Sequence, residues 1–185
     1  MAMVWKRTKN VLAQKFRKYM IPGVFTKKIF LSENEFAVVE VNGNVYEVLE
    51  KGEHVVAAML DFRDIVVIFV DGGEKIIENN TSLRTRDNKV MIRLTIRFRI
   101  RDAKKFVRHA MGTMLMYETG DLWNKMYSEA FPAVLFSKAV LLASADFQKS
   151  DVIKNFVASV RKELESIMKG WGIELVSLSI EPAKL

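Results

Sequence analysis

Cysteine is absent from the 185-residue chain. Its absence excludes disulfides, thiolate metal sites, cysteine nucleophiles and palmitoyl anchors together, and it fits a reducing compartment. Histidine is nearly as scarce. His54 stands beside a turn and His109 within a helical pattern, and neither has a metal-ligand residue three or four positions after it, so no metal site and no cofactor is expected. No apolar run reaches the roughly 20 residues of a spanning helix. The nearest, residues 65–70 and residues 131–145 with Lys138 inside, read as core elements. No apolar stretch of signal-peptide type opens the sequence.

Acid is missing from the first 28 residues, and this absence is the most informative. They carry eight basic residues (Lys6, Arg7, Lys9, Lys15, Arg17, Lys18, Lys27 and Lys28) within a chain of net charge +7. The rest holds 21 bases against 22 acids, so the body is neutral. A neutral body with a basic arm points to an anionic partner for the arm, either a phospholipid surface or nucleic acid.

Half of the residues are apolar and 28% are charged, which suits one ordinary soluble domain with a packed core. We expect residues 1–28 to form a basic amphipathic segment and residues 29–185 to form the domain. If residues 4–20 are helical, Trp5, Leu12, Phe16 and Tyr19 share a stripe, with Lys6, Arg7, Arg17 and Lys18 opposite or flanking it. Lys9 intrudes on the apolar side. Ile21-Pro22-Gly23 would end such a helix. Its apolar stripe has two uses, insertion into lipid or packing on the domain's own core.

From Phe36 the pattern becomes β. Two apolar-alternating runs flank Asn42-Gly43-Asn44, whose first two residues tolerate the positive φ of a tight hairpin. Gly52 marks a second turn, Asp71-Gly72-Gly73 stops the run at 65–70, and Lys75–Ile77 suggests a returning strand. The clearest strand follows Asp87-Asn88: Val90, Ile92, Leu94, Ile96, Phe98 and Ile100 face one way, and Arg93, Thr95, Arg97, Arg99 and Arg101 the other. That Arg face is a candidate surface for phosphate or an acidic partner. The alternative is pairing with glutamates of neighbouring strands, for which Glu40, Glu47, Glu74 and Glu78 are placed.

Asp102 suits the N-cap of a helix burying Phe106, Val107, Ala110 and Met114. A second helix opens at Gly120-Asp121 and is kinked at Pro132. The last helix buries Val152, Ile153, Phe156, Val157, Val160, Leu164 and Ile167 at three- and four-residue intervals, and a final strand follows. The fold class is α+β, a twisted, largely antiparallel sheet against several helices.

Catalytic constellations are not evident. Asp61 and Asp64 lack a companion His or Lys and read as turn caps. Ser137-Lys138 and Ser150 with Lys154 read as solvated helix residues. Gly72-Gly73-Glu74-Lys75 lacks phosphate-loop spacing.

Three segments taken in order resemble the SPFH domain, also called band 7 or prohibitin/stomatin homology. They are FAVVEVNGNVYEVLEKGEHV at 36–55, LRTRDNKVMIRLTIRFRIRDAKKF at 83–106, and DVIKNFVASVRKELESIMKGWGIELVSLSIEP at 151–182. The resemblance spans residues 30–182 and lies in their order and spacing. It implies a non-enzymatic membrane scaffold that forms rings or clusters, organises lipid and regulates partners such as membrane proteases. Where family members carry a membrane anchor, this chain has its basic segment. Where they continue into a coiled coil that drives self-association, this sequence stops at Leu185, and we expect that coiled coil to have been trimmed. Glu50-Lys51-Gly52 replaces the commoner Pro-Gly turn.

The resulting expectation is a peripheral protein on the cytoplasmic face of a membrane. Trp5, Lys6, Arg7, Lys9, Leu12, Lys15, Phe16, Arg17 and Lys18 would contact an anionic bilayer, and Arg93, Arg97, Arg99 and Arg101 a partner. The alternative is a nucleic-acid module in which the arm and the Arg stripe bind phosphates while Trp5 and Tyr19 stack on bases. The sequence shows no RRM, KH or helix-turn-helix signature in its support.

Overall fold

A computed structural model describes residues 2–58 and 60–183. The chain divides into two compact units, Met1–Gly73 with Ile100–Asp121, and Glu74–Arg99 with Leu122–Leu185. The fold class is α+β with largely antiparallel strands, as expected, but the described residues form three sheets where one was expected, and the two units are built on different ones.

The first unit holds two sheets. One has the order β1-β3-β6, from Met3–Val4, Thr26–Leu31 and Gly52–Ala58. Its β1–β3 pair is parallel and its β3–β6 pair antiparallel. The other has the order β10-β2-β7-β4-β5, from Met116–Glu118, Val11–Arg17, Ile65–Asp71, Glu35–Val41 and Asn44–Leu49. The hairpin between β4 and β5 turns on Asn42 and Gly43, with φ of 52° and 78°. Positive φ at both central residues matches the right-handed twist of the strands it joins.

This five-stranded sheet is covered on both faces. Ala37, Val39, Val67 and Phe69 share a core with Ile29, Leu31, Val56 and Ala57 of the smaller sheet. On the opposite face Val38, Ile68 and Val70 are also fully buried. There α1 (Ala103–Lys105) lies against β4 and β5, and runs into a π-helical turn at Phe106–Met111 that buries Phe106, Val107 and Met111. Asp102 caps α1 by accepting from the Lys105 N–H at 2.9 Å. Met114, expected inside, is exposed.

The N-terminal helix expected over residues 4–20 is instead strand β2, flanked by β1 and a 3-10 turn at Lys18–Met20. The run Val11-Leu12-Ala13 has no helical period because β2 lies inside its sheet, between β10 and β7, and buries both faces. Leu12 is 0% and Trp5 4% exposed, so of the two uses for the stripe the structure has core packing. The arm is therefore no appendage to a domain that begins at residue 29.

The second unit contains β8 (Lys75–Arg84), β9 (Lys89–Ile100, whose last residue belongs to the first unit) and β11 (Ile173–Pro182), in the order β11-β9-β8. The returning strand expected at 75–77 extends to Arg84 and pairs with β9, in unbroken register from Lys75 opposite Phe98 to Arg84 opposite Lys89. The alternation read from β9 holds, with Ile92, Leu94, Ile96 and Phe98 buried. The helical part comprises the end of α2 (Thr119–Lys125), π-helical turns at Met126–Ala130 and Pro132–Phe136, α3 (Ser137–Ala139) and α4 (Ser150–Gly170). Phe156, Val160, Leu164 and Met168 recur every four residues on α4, form its buried stripe, and bring it against β11.

A segment woven into the core must contribute to stability. Leu12→Ala is expected to destabilise the protein by about 2–5 kcal/mol, the usual cost of truncating a fully buried leucine, measured by denaturant unfolding. An unchanged midpoint would make β2 a detachable arm after all.

Candidate functional site

Two chain connections emerge side by side from the first unit. β2 ends at Arg17 opposite Val66 near the start of β7, while β3 begins at Thr26 opposite Ala58 at the end of β6. The 18–25 connection and the 59–64 connection therefore both cross from one sheet to the other at the same end. Side chains tie them together. The Lys18 ammonium donates to the carbonyls of Asp61 and Arg63, the second at 3.2 Å. Asp61 grips Arg63 with both carboxylate oxygens, at 2.8 and 2.7 Å, and accepts its backbone N–H at 3.1 Å.

The first connection is anchored from below. Ile21 is fully buried, and its carbonyl accepts from the Lys27 ammonium at 2.7 Å. Gly23 has a φ of +117°, and a Cβ there would lie 2.2 Å from the Thr26 carbonyl oxygen, so only glycine makes this turn.

These anchors hold apolar side chains outward. Phe62 is 92% exposed, Leu60 76%, Tyr19 75%, Val24 74% and Phe25 72%. Large apolar groups concentrated on two clasped connections differ from the singly scattered ones of an ordinary surface. Arg17, Lys18 and Lys27 flank them with positive charge, while Lys28 and Arg63 are ion-paired with Glu53 and Asp61. Beside them lies an open groove of about 650 Å³, lined by Lys15, Arg17, Tyr19, Met20, Glu40, Val66, Thr113 and Leu115. In strand register Arg17, Val66 and Glu40 form one row across three strands, so the groove floor is apolar between opposite charges.

Hydrogen bonding to the Arg63 guanidinium holds the Asp61 carboxyl down at about 2, against an ordinary 3.8. With the folded value lowered, the stabilisation is fully present above the ordinary value and is lost as pH falls through about 2. The site's chemistry is apolar area with positive charge, rather than a nucleophile with its base.

The residues singled out from sequence scatter. Trp5 is inside, its Nε1–H donating to Gln14 at 3.0 Å and its ring 5.6 Å from Phe69. Leu12 is buried and Phe16 half-buried, edge-on to Phe69 at 5.5 Å. Arg7 bridges two buried carboxylates, Glu35 and Asp71. Lys15 donates to the Gly112 carbonyl at 2.9 Å. Lys6 and Lys9 are exposed. Of the expected contact set, Arg17 and Lys18 flank the exposed cluster, and Lys15 lines the groove beside it.

The Arg face of β9 splits similarly. Arg97 and Arg99 pair with Glu74 at 3.5 and 3.2 Å, the cross-strand alternative; Arg93 is exposed, and Arg101 follows the end of the strand. Of the residues the nucleic-acid alternative would use, Trp5 lies in the core of the first unit and two of the arginines pair with Glu74 in the second.

The description SPFH domain / Band 7 family matches residues 29–185. The chain belongs to the SPFH/band 7 family. No curated protein matches it. SPFH/band 7 proteins are generally membrane-associated, non-enzymatic scaffolds that self-associate. Among the described residues no helix is long and apolar enough to cross a membrane. In this SPFH chain the match begins at residue 29, yet β1, β2 and the exposed 18–25 connection lie before it.

The clasp yields a prediction. Replacing Asp61 by Ala should raise amide hydrogen exchange across residues 60–64 severalfold at neutral pH. In the parent, exchange there, corrected for its intrinsic pH dependence, should stay level from pH 7 down to about 4, because Asp61 remains ionised throughout. Loosening between pH 6 and 5 would show that the Asp61–Arg63 contact does not hold the loop.

Proposed function

We propose that this SPFH domain lies on an anionic bilayer through its 18–25 and 59–64 connections, presenting the rest of its surface to other scaffold subunits and to membrane-protein partners. The observation that carries this reading is the pair of clasped connections, with Tyr19, Val24, Phe25, Leu60 and Phe62 exposed and basic residues around them. Interfacial binding needs both parts. Each cation near anionic headgroups contributes about 1 kcal/mol, and each large apolar side chain moved from water into the acyl boundary adds roughly 1.5–3 kcal/mol. Rigid loop tips lose little conformational freedom on insertion, so most of that gain survives.

The contact differs from the one expected of the arm. Trp5 and Leu12 cannot reach lipid without unfolding β1 and β2, whereas Tyr19 and Phe62 already face solvent.

Sedimentation with vesicles containing about 30% phosphatidylserine tests the reading. The triple variant Tyr19→Ser, Phe25→Ser, Phe62→Ser should partition at least about tenfold more weakly, since it removes several kcal/mol of apolar burial, while its thermal midpoint stays close to the parent's. Binding by the parent should also weaken as salt rises from about 50 to 500 mM, which screens the cationic part. A triple variant that binds vesicles as tightly as the parent would sink this contact surface.

A further inference from the structure

In the second unit, β8 is the edge of its sheet and, among the described residues, pairs only with β9. From Ile76 to Arg84 its backbone has no hydrogen-bonded partner on the other side among the described residues. Natural edges of this length usually carry a bulge, a proline or inward-pointing charges that deter pairing with another chain. β8 has none of these. Its register with β9 is unbroken over ten residues, it contains no proline, and its charges between 76 and 84 are Glu78 and Arg84.

Those two charges are unmatched. Neither Glu78 nor Arg84 has an ion-pair partner among the described residues, and both are exposed. Arg84 also stands directly opposite Lys89 on β9, a like-charge pair of the kind that destabilises a sheet. The strand is self-complementary. Two antiparallel copies of β8 related by a two-fold axis at Thr81 place residue 80 opposite 82 and residue 78 opposite 84. All of these lie on the same face, because the pairing preserves the side-chain period of two. Each Glu78 then faces Arg84 of the second copy, twice per dimer. Shifting the axis by one residue either way loses that match.

We propose that the free edge of β8 is a homodimer contact, in which a second copy of this chain adds its β8 antiparallel around Thr81 and joins two three-stranded sheets into one of six. The partner's Glu78 relieves the repulsion between Arg84 and Lys89, which makes the second copy a better occupant of this edge than an unrelated peptide. The inference rests on the self-associating side of the scaffold reading and is independent of the membrane contact.

Charge exchange tests it, by analytical ultracentrifugation without lipid in about 50 mM salt, at concentrations up to about 1 mM so that a weak contact registers. Glu78→Arg and Arg84→Glu should each weaken dimerisation at least about tenfold, because two attractive pairs become two repulsive ones. The double variant Glu78→Arg, Arg84→Glu should recover the parent's affinity. An equimolar mixture of the two single variants should form heterodimers, in which every charge meets its opposite. Both side chains are exposed, so all variants should keep the parent's circular dichroism, with thermal midpoints moved only by the small contribution of a cross-strand pair, and vesicle binding should be unchanged. A parent that stays monomeric at the highest concentration, or a Glu78→Arg chain that dimerises like the parent, overturns the proposal. A parent chain that dimerises but does not sediment with vesicles would instead count against the membrane contact alone.

Discussion

Two carboxylates buried in the first unit require a cation, and everything near the N-terminus depends on how that requirement is met. Glu35 at the start of β4 and Asp71 at the end of β7 are 3% and 1% exposed. Unpaired, either would carry a desolvation cost of several kcal/mol. Arg7 reaches both, through Nη1 to Glu35 and Nε to Asp71 at 2.8 Å, and stacks its guanidinium 5.0 Å from the Trp5 ring. This bridge fixes residues 5–7 against the ends of two strands, with β1 and β2 leading in and out. Once β2 is committed between β10 and β7, its C-terminal end delivers the chain at Lys18 beside the 59–64 connection. The position of the exposed aromatic cluster follows from an ion bridge made far from it in sequence.

The basic surplus of the first 28 residues takes on a different meaning in this light. Three of its lysines, Lys15, Lys18 and Lys27, donate to backbone carbonyls, of Gly112, of Asp61 and Arg63, and of Ile21. A carbonyl accepts a hydrogen bond without cancelling the charge. The segment is thus knitted into the fold while most of its positive potential persists, whereas an equal number of carboxylate pairs would have neutralised it. A run of basic residues without acids is what such a design leaves in the sequence.

Much of the fold was legible because local signals agreed with burial. The alternation over β9, the Asn42-Gly43 turn, the Asp102 cap and the four-residue spacing on α4 each specify one geometry. β2 does not announce itself as a strand, because Val11-Leu12-Ala13 is apolar without a period and a helical stripe can be traced through it with only Lys9 out of place. A short unbroken apolar run fits a strand buried on both faces as well as it fits a helix, and only its sheet neighbours decide. The division into three sheets was hidden for a related reason, since nothing local in Lys75–Arg84 says whether it returns to β7 or waits for β9.

The exposed cluster was the least legible part. Tyr19 fits a helical stripe in the sequence but lies in a 3-10 turn, and Val24, Phe25, Leu60 and Phe62 give no signal, because isolated apolar residues in turns have no period. What distinguishes them is that two connections distant in sequence share one end of two sheets, a fact of topology alone. Lys18 shows why clasp and surface belong together: its ammonium holds the 59–64 connection through carbonyls, and it remains a cation at the surface it helps to shape. A carboxylate in place of those carbonyls would hold the loop equally well and abolish that charge. The choice of acceptor lets one side chain serve structure and electrostatic attraction together, and it explains why the positive charge lies where the chain's aromatic tips emerge.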